Sequence, residues 1–317
     1  MEAIKIIECP RDAMQGIKTF IPTERKVTYI QSLLRVGFDT IDFGSFVSHK
    51  AIPQMQDTAE VLARLDLSQT RSKLLAVIAN TQGAEKASLY PEIQYLGFPF
   101  SISENFQMRN THKTIAESLV TLQEILEIAD ARNKEVVAYL SMGFGNPYGD
   151  PWNREIVGEW IEKLSNMGVK ILSLSDTIGS STPEVIQYLF SNLIPKYSKI
   201  EFGAHLHSTP DKWFEKVDAA YNAGCLRFDG AIQMMSEDDE RTIDVLESYP
   251  GTVGVLGFAV FEEHVASLVA IAMSKSFISL PPTILSITPV NLSFSLSANN
   301  SAIDTSVKSS ERYLKKS

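Results

Sequence analysis

Cysteine is scarce in this 317-residue chain, which holds only Cys9 and Cys225, far apart. Two thiols so separated make no disulfide framework. They fit buried roles in a reducing compartment, so a cytoplasmic setting is expected. Excess basic charge is lacking too. Lys and Arg number 29 against 38 Asp and Glu, for a net charge of −9, which argues against a nucleic-acid partner. No uninterrupted apolar run reaches the roughly 18 residues of a membrane span. The nearest, 253–273, is broken by Glu262, Glu263 and His264. The opening MEAIKIIECPRD has no basic start and no cleavage site, so no targeting segment is expected. No glycine-rich dinucleotide fingerprint follows the first apolar run, which counts against a doubly wound nucleotide-binding sheet.

What is present is alternation. Strand-like runs at 3–9, 38–43, 73–80, 94–101, 136–142, 170–174, 199–205 and 226–232 are separated by helical patterns. Eight such units predict an α/β fold, a (β/α)8 TIM barrel with helices outside a parallel sheet. Helix starts are expected at Asp57 with Glu60, a capping-box pattern, and at Asp150-Pro151, Thr182-Pro183 and Thr209-Pro210. Gly37, Gly168 and Gly224 mark helix ends. Ile156, Trp160, Ile161 and Leu164 predict one buried helix face; Ile115, Leu119, Leu122 and Leu126 predict another. Trp213 and Phe214 are expected to pack. The pattern stops near Gln233, so the chain divides into a barrel domain at 1–233 and a divergent, partly disordered segment at 234–317. That segment holds the acidic run SEDDER, expected to be solvated. It continues with a helical pattern over 241–248, an apolar stretch to Met273, Pro281-Pro282 and a Ser/Thr/Asn-rich end.

In such a barrel the chemistry sits where strands end. The residues found there are Arg11, Asp12 and Gln15; Asp42, Ser45 and His49; Asn80; Asp176 and Thr177; His205 and His207; and Asp229. Side chains at i and i+2 of a strand share a face. His205 and His207 can therefore aim at one point, and with one carboxylate they make a two-His, one-acid metal site. Asp12 is expected as the third ligand, from the end of a neighbouring strand. The plain alternative is a pair of hydrogen-bonded strand-end histidines. Arg11 suits a carboxylate or a developing oxyanion, or else a salt bridge. Asp42 can support Arg11 or act as a base, and Asp176 can cap the next turn.

Taken together, ECPRDAMQ, IDFGSFVSHKAIPQM, SLSDTIGSSTP and GAHLHSTP resemble, in order and spacing, the 3-hydroxy-3-methylglutaryl-CoA lyase family of metal-dependent TIM-barrel lyases, over residues 3–233. The resemblance implies cleavage of 3-hydroxy-3-methylglutaryl-CoA to acetyl-CoA and acetoacetate, a step of leucine degradation. It also implies a divalent cation, Mg²⁺ or Mn²⁺, on Asp12, His205 and His207. Arg11, Asp42 and His205 are the implied catalytic groups, and Gln15, Ser45, Asp176 and Thr177 join Arg11 around an acyl-CoA substrate. A homodimer is left open. Asp42 stands where the family usually has Glu, and Ser208 where Asp commonly follows the second histidine. After Gln233 the family's glycine-rich cysteine loop and its following asparagine ligand have no counterpart. Two other readings therefore stay open: a non-catalytic relative, and a related aldolase or acyl-CoA synthase acting on a 2-oxo acid.

Overall fold

A computed structural model describes residues 3–209 and 212–231. In chain order the elements are β1 (Lys5–Glu8), α1 (Pro10–Gln15), α2 (Thr23–Val36), β2 (Thr40–Ser45), α3 (Thr58–Ala63), β3 (Lys73–Val77), α4 (Thr81–Ser88), β4 (Ile93–Ser101), α5 (Glu104–Thr111) and α6 (Ile115–Ala131). Then follow β5 (Glu135–Ser141), α7 (Arg154–Asn166), β6 (Ile171–Asp176), α8 (Pro183–Lys196), β7 (Glu201–Leu206), α9 (Trp213–Asn222) and β8 (Arg227–Gly230). The eight strands are parallel and close in sequence order, with β8 hydrogen-bonded to β1. This is the expected (β/α)8 barrel. Expectations for the segment 234–317, including the SEDDER run, the helix over 241–248 and the apolar stretch to Met273, lie outside the described residues. So do the end of the last strand-like run, Ile232, and Pro210. No helix among the described residues is long and apolar enough to cross a membrane.

Strand alternation builds two unlike cores. Leu74, Ala76, Val136, Ala138, Leu172, Leu174, Phe202 and Ala204 pack outward on helix residues such as Leu122, Ile161, Ile186 and Leu189. The alternate positions Leu75, Val77, Tyr95, Val137, Tyr139 and Ile171 form a separate cluster inside the barrel. The interior wall from β3 to the start of β6 is thus largely apolar or aromatic, and Ser173 of β6 turns to Asp229. The wall from β7 through β8 and β1 to β2 carries buried His205, Arg227, Asp229 and Asp42 instead. Gly203 makes that crowding feasible, because a Cβ there would lie 3.0 Å from Ser173 Oγ and 3.2 Å from Arg227 Cδ.

Several local expectations are corrected. Asp57 precedes α3 but makes no side-chain cap. It turns to Lys26 Nζ at 2.7 Å and accepts from Thr23, because the buried lysine requires a counter-charge. The helix expected at Asp150-Pro151 begins at Arg154, capped by Asn153. The helix after β7 is described from Trp213, and the start expected at Thr209-Pro210 falls on Pro210, outside the described residues. Thr182 does cap α8 with Pro183 behind it, and Gly37, Gly168 and Gly224 adopt positive φ. Val157 replaces Ile156 as the first buried residue of α7, while Trp160 is half-buried against Phe100. Phe214 is 56% exposed, not packed. On α6 the buried face follows Ile115, Ser118, Leu122, Ile125 and Ala129, leaving Leu119 and Leu126 at its margin.

Asp150 holds the top of the barrel from a distance. Its carboxylate accepts from the Ser103 hydroxyl and from the Asn105 backbone N–H at 3.0 Å, one of the otherwise unpaired donors at the start of α5. These bonds hold its carboxyl below the ordinary value of 3.8. Its contribution to stability is therefore complete above that value and is lost as the pH falls through the folded value. Asp150→Ala is expected to lower the urea midpoint at neutral pH. Wild type and variant should converge on titration toward about pH 2; a gap that stays constant with pH contradicts this.

Candidate metal and acyl-substrate site

The strand-end residues meet at the C-terminal mouth of the barrel. Pro10 starts α1 directly after β1, so Arg11 and Asp12 face the mouth from a short helix rather than from a strand. Nor is Asp12 on a strand neighbouring that of the histidines: β8 lies between β1 and β7. The trio still converges, because Asp12 reaches across the narrow top of β8. One ligand atom each from Asp12, His205 and His207 lies within 4.8 Å of the others, and His205 Nε2 stands 3.7 Å from Asp12 Oδ2.

Asp12 and His205 are each oriented by a second group. His205 shares a 3.0 Å hydrogen bond between Nδ1 and Asp229 Oδ2, and a ring whose Nδ1 is committed in this way has Nε2 free. Burial works against an imidazolium at His205, but Asp229 and Asp12 outweigh it and hold its pKa above the ordinary value. His207 goes the other way. Burial and then the charge of His205 push it down to about 4, leaving a neutral ring. A neutral imidazole beside a second imidazole and a carboxylate, with one ligand atom of each gathered at one point, is the donor set a divalent cation takes. The residues present therefore fit such an ion.

Arg11 is the local cation. Its Nε and Nη2 grip Asp42 Oδ2 at 3.0 and 2.5 Å, and Nη1 reaches Asp12 Oδ1 and Gln15 Oε1, both at 3.0 Å. A guanidinium has five N–H groups, so one Nη2–H is left uncommitted by these bonds. Burial opposes the Asp12 charge, yet Arg11 and the two imidazoles keep its carboxyl below the usual range. Asp42 is 0% exposed. Burial pushes it up to about 6 against the pull of Arg11. Both Asp42 oxygens accept from Arg11.

The remaining candidates divide. Gln15 joins the cluster, donating to Asp12 Oδ1 at 2.5 Å. Ser45 and Thr177 are tied to backbone, Ser45 Oγ accepting from Val47 N–H and Thr177 Oγ1 from Met142 N–H. His49 is exposed, and Asn80 caps α4. Asp176 is buried, accepting from Ser181 and pairing with Lys216 Nζ at 2.8 Å. Lys216, which the sequence did not single out, also donates to the backbone oxygens of Gly179 and His207 at 3.0 and 2.9 Å. Asp229 stood out only as a strand end. The available signal was a pair of charges, Arg227 and Asp229, spaced by two within a barrel strand.

The chain is similar to known proteins over most of its length. The family model described as HMGL-like matches residues 3–238, five residues past the end expected from the motifs. The hydroxymethylglutaryl-CoA lyase YngG of Bacillus subtilis is 32% identical over 222 residues, covering 70% of this chain and 74% of that protein. The mitochondrial hydroxymethylglutaryl-CoA lyase of Bos taurus is 32% identical over 232 residues, covering 72% and 70%. A solved structure of a Bacillus subtilis HMG-CoA lyase superposes with a TM-score of 0.70 at 28% identity, over 90% of this chain and 97% of that one.

The Lys216–Asp176 pair is buried on both sides. Removing one partner of such a pair leaves an uncompensated charge. Lys216→Met is expected to cost about 3–5 kcal/mol in urea unfolding, and the double variant with Asp176→Leu to recover much of it. Equal loss in the single and double variants contradicts the pairing as the cause.

Proposed function

The chain belongs to the HMGL-like family, and from that premise we propose that it is a divalent-cation-dependent carbon–carbon lyase. The substrate proposed is 3-hydroxy-3-methylglutaryl-CoA, cleaved to acetyl-CoA and acetoacetate. The observation that carries the reading is the convergence of Asp12, His205 and His207 beside a buried guanidinium. Mg²⁺ or Mn²⁺ on those three residues would supply Lewis acidity toward the tertiary hydroxyl and the neighbouring carbonyl oxygen. A role in leucine degradation and a cytoplasmic location belong to the same proposal.

The chain's own residues perform the rest. Removal of the tertiary hydroxyl proton lets the oxygen form the ketone of acetoacetate. The electrons of the broken carbon–carbon bond leave on the acetyl-CoA enolate, which then takes a proton. His205 Nε2 is the ring nitrogen open to the mouth, as ligand or as acceptor of the hydroxyl proton, because Nδ1 is committed to Asp229. Arg11 offers its remaining Nη2–H to an oxygen that gains negative charge, which is where stabilisation raises the rate. Asp42 acts through Arg11: its two oxygens fix the plane of the guanidinium and it does not reach the mouth. Gln15, pinned between Arg11 and Asp12, orients both, and Ser45, Asp176 and Thr177 shape the surrounding loops.

A second reading is a non-catalytic relative that keeps the cation site. It is favoured by one observation: both cysteines are buried thiols. Burial holds Cys9 above its ordinary value and pushes Cys225 up to about 12, so neither is a ready proton donor at the mouth.

With Mg²⁺ or Mn²⁺ the full chain is expected to form acetoacetate from 3-hydroxy-3-methylglutaryl-CoA, followed by chromatography of the acyl-CoA. His207→Ala should lower turnover at least about 100-fold, and chelation should abolish it. Binding of cation and acyl-CoA without product selects the non-catalytic relative. Cleavage of 2-oxo-acid adducts only selects an aldolase or synthase.

A further inference from the structure

We propose that Asp229, a charged side chain of β8 inside the barrel, is a positioning residue that, backed by Ser173, fixes the His205 ring with Nδ1–H donated to Asp229 and Nε2 turned toward Asp12. The proposal deepens the cation-site reading, and its first test does not need a cation.

Asp229 is 0% exposed, and its Oδ2 takes both His205 Nδ1 at 3.0 Å and the Ser173 hydroxyl at 3.1 Å. With Ser173 donating to the same oxygen, His205 is held by an acceptor that is itself held. Tyr139 closes the other side of the ring, edge-on at 5.4 Å and 73°. The imidazole thus has one hydrogen bond and one packing wall, and both select the same orientation.

Arg227 stands two residues before Asp229, on the same interior face. It is 1% exposed, and its Nη1 meets Glu201 Oε1 at 3.2 Å. Its guanidinium also lies over the Tyr95 ring, 5.7 Å from the centroid. The partners of Arg227 are thus Glu201 and Tyr95, and the partner of the His205 ring on β8 is Asp229, held at Oδ2 by Ser173 and His205 together. Gly203 supports the arrangement, since a side chain there would press on both Ser173 and the Arg227 stem.

The test begins with ring-nitrogen NMR of ¹⁵N-histidine-labelled, cation-free full chain at alkaline pH, with His205 assigned by a His205→Gln control. The wild type is expected to hold the Nδ1–H tautomer, and an Nε2–H ring overturns the proposal. In Asp229→Asn that tautomer should lose its dominance, and Mn²⁺ affinity by calorimetry should fall about 10–100-fold. Ser173→Ala, which removes the second donor to the same Asp229 oxygen, should shift both readouts the same way by a smaller factor, about 3–10-fold in affinity. Folded variants that leave the tautomer and the Mn²⁺ affinity unchanged overturn the proposal. If Asp229→Asn does not fold, the wild-type tautomer and Ser173→Ala decide. A wild type that binds no Mn²⁺ yet holds the Nδ1–H ring supports the positioning and overturns the cation-site reading alone.

Discussion

Negative charge brought into a dry barrel mouth has to be balanced locally, and Arg11 is where this chain does it. Asp12 and Asp42 both lean on one guanidinium, from opposite ends of its fork. Without that cation the two acids would repel each other at the place where Asp12 must keep its charge. The same rule repeats around the mouth. Asp176 has Lys216, and Asp229 has the His205 ring. Such pairs add little net stability once desolvation is counted. What they provide is placement, because each carboxylate is tied to a charged or imidazole partner at a set distance.

The barrel accommodates this by dividing its interior. Strands β3 to β6 fill their inner wall with Leu, Val, Ile and Tyr, close-packed as a small core. The opposite wall carries the polar column, running from Lys5 and Glu201 through Arg227 and Asp229 to His205, Asp12, Arg11 and Asp42. The first wall sets the barrel's dimensions. The second then sits in a space whose width is already determined, so residues far apart in sequence meet within hydrogen-bonding distance.

The architecture was legible because a parallel barrel writes itself as repeated apolar runs with helix punctuation between them, and the eight runs are the eight strands. The convergence of Asp12 with His205 and His207 was legible from i, i+2 spacing and from motif order. The route was not: a strand-neighbour argument placed Asp12 beside β7, whereas the chain inserts β8 between them and lifts Asp12 on a helical turn. Lys216 was hidden because a lysine on an outer helix reads as solvated, and only the tertiary fold shows its stem crossing to the mouth. Asp57 and Asp150 read as local caps because Asp favours such positions. Each serves a partner more than thirty residues away, which no local pattern encodes. Phe214 reads as part of an apolar helix face, yet it is exposed, as single apolar residues on surfaces often are.

Lys216 has a consequence for how this fold can change. A barrel's outer helical ring is usually free to diverge, while its strand-end loops carry the chemistry. Here one amine rooted in α9 holds the backbone oxygen of His207 and the carboxylate of Asp176. The outer ring and the mouth therefore share a component. A substitution that reseats α9, though made on the flank of the molecule, alters the placement of His207 at its summit, so the two layers of this chain must diverge together.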